Sequence, residues 1–415
     1  MWSDPAFSFV RRGEVGAYRE MTTVTVFQNG LRRFFGNTVA PFCAWGVIFF
    51  FAIIRPCDAG TIRLAFIGDI MVHVPQLEAA WNSADKTYDF LPQFAPMKRF
   101  LSRFDIVAGN LETTLASGIR GFTGYPCFNS PDSLLTALKE IGLSVLTTAN
   151  NHCLDSGAAG AVRTGRVIDE HGFFRIGVRL KEDTANALRF EKNDVNVTFL
   201  SYTYGTNGIR VPADSSVVVP LIQSDTFSGD IARARRNRND LLVAAFHFGP
   251  EYAVAPSKEQ KTVAALALKS GADIIFGTHP HVLQPIQVSK NAKTGRLRVA
   301  AYSLGNFLSS QRTVPRDRSC VLFVDVTTEP DRSSITKVSV LPIWTRWKKT
   351  RGSDRIAVSP IVHERRRLIG RRDPAGKSEE RALRSLEKSI CASLLVYHDA
   401  EPDGAYTLWE ETQAR

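Results

Sequence analysis

A chain of 415 residues that is 44% hydrophobic and 22% charged can bury a large core, so it is globular, with room for two or three domains. Its formal charge of +11 implies attraction to something anionic (nucleic acid, lipid headgroups or a polyanionic polymer), unless it only reflects a basic proteome. The six cysteines, Cys43, Cys57, Cys127, Cys153, Cys320 and Cys391, show no CxxC spacing, which excludes a zinc ribbon and a thioredoxin motif and leaves the redox compartment open.

Arg32 and Arg33 precede an apolar run from Phe34 to Ile54. Counted from Phe34 the run just reaches the length of a spanning helix, about 20 residues, though Asn37 and Pro41 interrupt it. Its core from Cys43 to Ile54 has the length of a signal-peptide h-region, and Cys57-Asp58-Ala59 offers a small-x-small cleavage site before Gly60. Residues 1–60 are therefore expected to be a tail carrying a signal peptide or a membrane anchor, the alternative being a buried hairpin. The basic residues ahead of the run place the chain beyond it outside the cytoplasm.

From Thr61 the pattern becomes α/β. Ile62 to Ile67 is a strand ending at Gly68-Asp69, and Phe94 to Phe104 is helical. Asp105 to Ala108 is a strand ending at Gly109-Asn110-Leu111-Glu112. Asp132 to Ile141 is a helix, Leu143 to Thr148 a strand ending at Asn150-Asn151-His152, and Ala158 to His171 a helix. Val195 to Tyr202 and Leu241 to Phe246 are further strands, the second ending at His247 with Glu251 close behind. The helix-like Ala264 to Ser270 feeds the short apolar run Ala272 to Phe276, which ends in His279-Pro280-His281. Side chains two apart on an extended chain share a face, so these two histidines can point the same way. Arg298 to Leu304 ends at Gly305-Asn306, and Val321 to Val326 and Thr336 to Leu341 alternate as antiparallel strands do. Alternating helix and strand implies a parallel sheet covered by helices. Beyond Pro342 the composition turns basic, with Arg346, Lys348, Lys349 and Arg365 to Arg367 among few acids, as expected of a solvated or lipid-facing tail. No nucleic-acid recognition motif accompanies this charge.

Five strand ends thus carry Asp69, Asn110 with Glu112, Asn151-His152, His247, and His279 with His281. Taken singly, an Asn after a strand is a turn former and a Gly-Asp is a loop. Together, carboxylate, amide oxygen and imidazole make the ligand set of a Zn, Mn or Fe site, at the strand ends where α/β sheets bind ligands. Asp69, Glu112, Asn151, His247, His279 and His281 are the expected metal ligands.

Gly68-Asp-Ile-Met71, Gly109-Asn-Leu-Glu112, Ala149-Asn-Asn-His152, His247-Phe-Gly-Pro-Glu-Tyr252, Gly277-Thr-His-Pro-His-Val282 and Tyr302-Ser-Leu-Gly-Asn-Phe307 resemble the signature blocks of the bacterial capsule-synthesis CapA family. The resemblance covers about residues 62 to 310 in matching order. It implies a metallophosphoesterase-like layered sandwich of mixed sheets flanked by helices over residues 61–343, with 344–415 as a basic extension. It also implies a role in poly-γ-glutamate synthesis or export on the outer face of the membrane, beside other capsule-synthesis membrane proteins, with an anionic cell-surface polymer as partner. Two departures from the metallophosphoesterase pattern stand out. Met71 replaces the histidine of Asp-x-His, leaving His73 two positions late, and Asn110 replaces the metal-bridging aspartate. A neutral amide screens the repulsion of two cations poorly, which leaves one metal or an unusual pair bridged by Glu112. His152 is the expected proton donor to a leaving group, and Asn110, Glu251 and Asn306 are expected to face substrate. Two readings stay open: a metal-dependent hydrolase or transferase cutting a phosphoester or a γ-glutamyl amide, and a non-catalytic factor that holds the polymer for export.

Overall fold

Strand runs such as Leu241-Leu-Val-Ala-Ala-Phe246 are apolar at every position, which requires cover on both faces, and the computed structural model supplies it. It describes residues 60–410 apart from 120, 184–185, 194, 236–240, 330–331, 350–353, 370–372 and 395–399. The apolar run Phe34 to Ile54 and the cleavage site at Cys57 to Ala59 lie outside the described residues. Among those described, no helix is long and apolar enough to cross a membrane.

Two mixed sheets carry the fold. In the first, Thr61–Ile70 lies between Ile106–Leu111, parallel to it, and Ser319–Glu329, antiparallel to it. Val145–Thr147 and Phe174–Ile176 extend the parallel side, while Arg332–Lys348 and Arg355–Pro360 extend the antiparallel side. In the second sheet, Leu297–Ala301, Ile274–Thr278, Leu241–His247 and Val195–Thr203 run parallel, and Ile286–Lys290 and Leu188–Lys192 close its edges antiparallel.

Strand alternation divides the side chains between layers. Ile62, Leu64 and Phe66 of the first sheet pack against Phe199, Val243, Ala245 and Phe276 of the second, with the Phe66 ring 5.4 Å from Phe276 and 6.5 Å from Phe199. Ala65 and Ile67 turn the other way, onto Phe94 and Met97 of the helix Leu91–Leu101 and Leu134 and Leu138 of the helix Ser133–Glu140. On the far side of the second sheet, Leu242, Ala244 and Phe246 meet Phe227 and Ile231 of Ser224–Arg235 and Val263 and Ala267 of Lys258–Ser270. The result is the expected layered sandwich of mixed sheets flanked by helices.

The basic stretch after Pro342 is built into this body rather than hanging from it. The strand Arg332–Lys348 runs through the change in composition, and Tyr406–Glu410 returns to pair with it. Ile390 and Cys391 of the helix Pro374–Ser393 enter the inter-sheet core. Arg346 and Arg367 both reach Glu364, at 3.6 and 3.0 Å, and Arg365 pairs with Glu380 and Glu387. Glu380 and Glu387 come later in the chain than these basic residues, so the local charge excess did not show their pairing.

Candidate metal centre

The parallel strands of both sheets end on one side, and all six expected ligands gather there. Asp69, Glu112, Asn151, His247, His279 and His281 are each at most 3% exposed. Glycines make room for the turns that carry them. A Cβ on Gly68 would lie 1.8 Å from the Gly305 carbonyl oxygen, to which the Asp69 N–H donates at 3.1 Å, and a Cβ on Gly277 would lie 2.1 Å from the Tyr302 oxygen.

The two histidines of His-x-His do not converge by strand alternation, as the sequence suggested. Their strand ends at Thr278, and His279 and His281 take φ of +97° and +57°. Such left-handed conformations cost of order 1–3 kcal/mol each. Asp69 holds this turn: Oδ2 accepts from the His279 backbone N–H (3.2 Å) and faces His281 Nδ1 (3.1 Å), while Oδ1 accepts from Asn110 Nδ2 (2.8 Å). Since His281 Nδ1 also faces Asn306 Oδ1 at 3.0 Å, and both oxygens only accept, Nδ1 carries the proton. That leaves the Nε2 lone pair of His281 aimed at Glu112 Oε1, 3.7 Å away. A carboxylate on one imidazole nitrogen and a free lone pair on the other is the usual support of a metal-binding histidine.

The same reasoning puts the His247 proton on Nε2, 2.8 Å from Asn151 Oδ1, with Glu112 Oε1 3.5 Å away. Loss of that proton leaves three acceptors facing one another. Among the described residues, Glu112 Oε1 and His279 Nδ1 are buried without a hydrogen-bond partner. Buried polar atoms left so are costly and ask for an occupant. Two groups of candidate ligand atoms, Glu112-His247-His279 and Asp69-Glu112-His281, lie within 4.8 Å internally and share Glu112; a third, Glu251-His279-His281, adds an exposed carboxylate at the rim. The donor set therefore fits a divalent metal, which Glu112, common to two of the groups, would help to hold, with Asn151 beside His247.

Asn110 sits among these groups as a donor. Its Oδ1 accepts from Asn150 Nδ2 (3.1 Å) and Thr147 Oγ1 (3.3 Å), which turns its Nδ2 toward Asp69 and Glu112 (3.3 Å). It ties the carboxylates together instead of facing outward to a substrate. His152 belongs to none of the ligand groups. Its Nδ1 donates to Asp155 Oδ2 at 2.8 Å, and its ring stands edge-on to Phe128 at 4.7 Å. Asn306 links His281 to Gln311, whose Oε1 accepts from Asn306 Nδ2 at 3.3 Å.

Sequence reasoning passed over four residues here. Tyr204 follows the strand Val195–Thr203 and lays its ring 4.6 Å from that of His279 and 6.3 Å from that of His247. Asn207 Oδ1 accepts from Asn151 Nδ2 at 3.1 Å, fixing which end of that amide meets His247. Asn150 and Asp155 orient Asn110 and His152. For Tyr204 a signal existed, since it too stands at the carboxyl end of a parallel strand. His73, two positions late for the metallophosphoesterase pattern, caps the helix Val74–Ala80, and its Nδ1 accepts from the Ser310 N–H at 3.4 Å.

Burial, then the neighbouring Asp69 charge, pushes the Glu112 carboxyl well above its usual value. Burial, then the other histidines, pushes His247 well down, His279 to about 3 and His73 to about 4. Burial alone would raise Asp69, but its hydrogen bond and charge contact with His281 carry it below the carboxylate range. In the metal-free protein, between pH 4.5 and 6.5, the unfolded chain holds protons on His73, His247 and His279 that the folded chain lacks; Glu112 does the reverse. Three groups outweigh one, so stability is lost as pH falls through this window. The melting temperature of chelator-treated protein should drop steadily from pH 6.5 to 4.5, and a flat or rising profile would contradict the arrangement.

Residues 63–311 match the family model described as bacterial capsule synthesis protein PGA_cap. The chain belongs to this family. It is 28% identical over 260 residues to the capsule biosynthesis protein CapA of Bacillus anthracis, a match spanning 60% of this chain and 60% of that protein. It is 28% identical over 278 residues to the PGA biosynthesis protein CapA of Bacillus subtilis (strain 168), spanning 63% of this chain and 67% of that one. The match thus spans only 60% of the first relative's length and 67% of the second's. Among solved structures, Haemophilus influenzae NAD nucleotidase (NadN) aligns with a TM-score of 0.41 and 14% identity, over 80% of this chain and 63% of that one. The PGA_cap match covers all ten residues singled out in the sequence, from Asp69 to Asn306.

Proposed function

We propose that this PGA_cap protein works outside the cytoplasmic membrane in capsule or poly-γ-glutamate biosynthesis or export, and that its pocket hydrolyses or transfers a bond of an anionic polymer. The observation that carries the reading is the convergence of Glu112 Oε1 and His279 Nδ1, both buried and, among the described residues, unpartnered, with His247. Asp69, Glu112, Asn151, His247, His279 and His281 would hold a divalent ion, Mn, Zn or Fe, which supplies Lewis acidity to the attacked bond. Asp155 fixes the His152 tautomer so that, once protonated, Nε2 can deliver a proton to a leaving group. The exposed Glu251 at the rim would meet the polymer, and Asn306, buried against His281 and Gln311, would act beside it. Turnover of poly-γ-glutamate or a phosphoester by the purified domain from Gly60 onward, supplied with each metal in turn, tests this. Absence of turnover by metal-loaded protein would defeat it.

One observation favours the second reading, a non-catalytic factor that holds the polymer for export by itself or with other capsule-synthesis membrane proteins. Asn110 places a hydrogen-bond donor where an anionic bridge would screen two cations. If Asn110→Asp raises the metal bound per chain and brings turnover that the parent lacks, the parent is the holding factor.

The extracytoplasmic placement rests on Arg32 and Arg33 preceding the apolar run. A reporter active only in the cytoplasm, fused after Arg415, should be silent in cells. Strong signal would refute the placement.

A further inference from the structure

A cavity of about 210 Å³ opens beside the candidate metal centre and shares Asn306 with it. Its walls differ from those of the metal cluster. Arg312 and Arg316 come from the segment that follows Asn306–Leu308, and Trp344 and Trp347 come from the strand Arg332–Lys348. The Arg312 guanidinium lies 4.3 Å from the centre of the Trp347 ring and that of Arg316 lies 4.8 Å from the centre of the Tyr252 ring. Cation–π contact fixes a guanidinium while leaving its N–H edge to bind; Arg316 gives Nε and one Nη to the Thr313 hydroxyl and keeps its other N–H groups for a ligand. Among the described residues neither arginine forms an ion pair, in contrast to Arg346, Arg365 and Arg367 nearby. The one acid on the wall, Asp317, faces Arg318 at 3.9 Å, and burial pushes its carboxyl up. One guanidinium over an indole, a second over a phenol ring, and the Trp344 indole on the same wall suit a ligand that has both an anionic end and an aliphatic arm.

We propose that this cavity is a binding subsite for a short aliphatic carboxylate, with Arg312 and Arg316 gripping the carboxylate and Trp344 and Trp347 covering the methylenes. A chain of contacts connects it to the reacting end. Asn306 Oδ1 meets His281 Nδ1 at 3.0 Å, Asn306 Nδ2 reaches Gln311, and Gln311 Nε2 reaches the Tyr252 hydroxyl at 3.4 Å. A carboxylate held there anchors one residue of a polyacid while the adjoining linkage lies toward His281. This role rests on the proposed function, but the binding itself does not, and the test separates them.

The probes are glutarate, its neutral counterpart glutaramide and inorganic phosphate, titrated into the full chain while tryptophan fluorescence and metal content are followed. Glutarate should bind with an affinity that weakens as salt rises, and glutaramide should not compete. Arg316→Met and Arg312→Met should each weaken glutarate binding by about tenfold or more with metal content unchanged, while Arg384→Met on the far helix should not. Glutarate binding to a protein devoid of metal would uphold the subsite and defeat the metal reading alone. Glutarate affinity equal in the parent and in both cavity variants, no glutarate binding at all, or binding of phosphate in preference to glutarate would each overturn the proposal.

Discussion

Replacing His279 and His281 together by alanine should empty the protein of divalent metal. One ligand group holds His279 with Glu112 and His247, another holds His281 with Asp69 and Glu112, and the third holds both histidines with Glu251, so the paired change strips every group. Losing even an outer partner of a metal site lowers affinity about 10–100-fold, so the loss here should be about 100-fold or more. Metal analysis after dialysis, with circular dichroism to show that the fold persists, reads the effect. Glu112→Gln should act almost as strongly, because Glu112 is common to two of the groups. A folded paired variant with the parent's metal content would remove the ligand assignment. Full metal in Glu112→Gln would deny the part of Glu112 alone.

The second large effect is expected at His152. Its place outside the ligand groups, with Nδ1 donating to Asp155 and the ring against Phe128, suits proton delivery and not metal binding. His152→Ala should keep the metal and lower turnover by about 100-fold or more, the contribution of an ordinary general acid. A structural role predicts something different, because Asp155 Oδ2 also accepts from the Phe128 N–H at 2.7 Å and removing the ring disturbs that corner. In that case the melting temperature falls while the rate per folded molecule stays as it was. Asp155→Asn sharpens the comparison. It frees the His152 tautomer without deleting the imidazole, so under the catalytic role it should lower turnover by less than His152→Ala does. Metal content, melting temperature and rate on one preparation separate these outcomes, and an active His152→Ala protein would take His152 out of the mechanism.

Much of the arrangement could be read from residue pattern. A fully apolar strand such as Leu241 to Phe246 is recognisable because burial on both faces leaves no polar positions. Its polar terminus, His247, stands out for the same reason. Strand ends in the second sheet's centre and the first sheet's parallel half therefore announced themselves. The antiparallel edges did not: Ile286–Lys290 and Leu188–Lys192 are half exposed, and their mixed composition resembles loop. The helix Ser224–Arg235 was passed over because it buries only Phe227, Ile231 and Ala234, a sparse stripe among polar residues.

The sequence by itself determined which residue types stand at the ends of the parallel strands, since local hydrophobic runs mark where each strand stops and those runs need no partner to be seen. It also determined the family, through six short blocks in a fixed order. Only the tertiary structure decided how those residues divide the work. Asp69 became the anchor of the His279-Pro-His281 turn, because strand pairing brings Thr61–Ile70 beside Asn306–Leu308 and the inter-sheet core brings it against the second sheet. Asn110 became a donor, because Asn150 and Thr147, remote in sequence, claim its oxygen. Whether the basic C-terminal stretch is a tail or a wall was likewise settled by long-range pairing with Glu364, Glu380 and Glu387, since charge counted along a chain says nothing about which opposite charge it will meet across a fold.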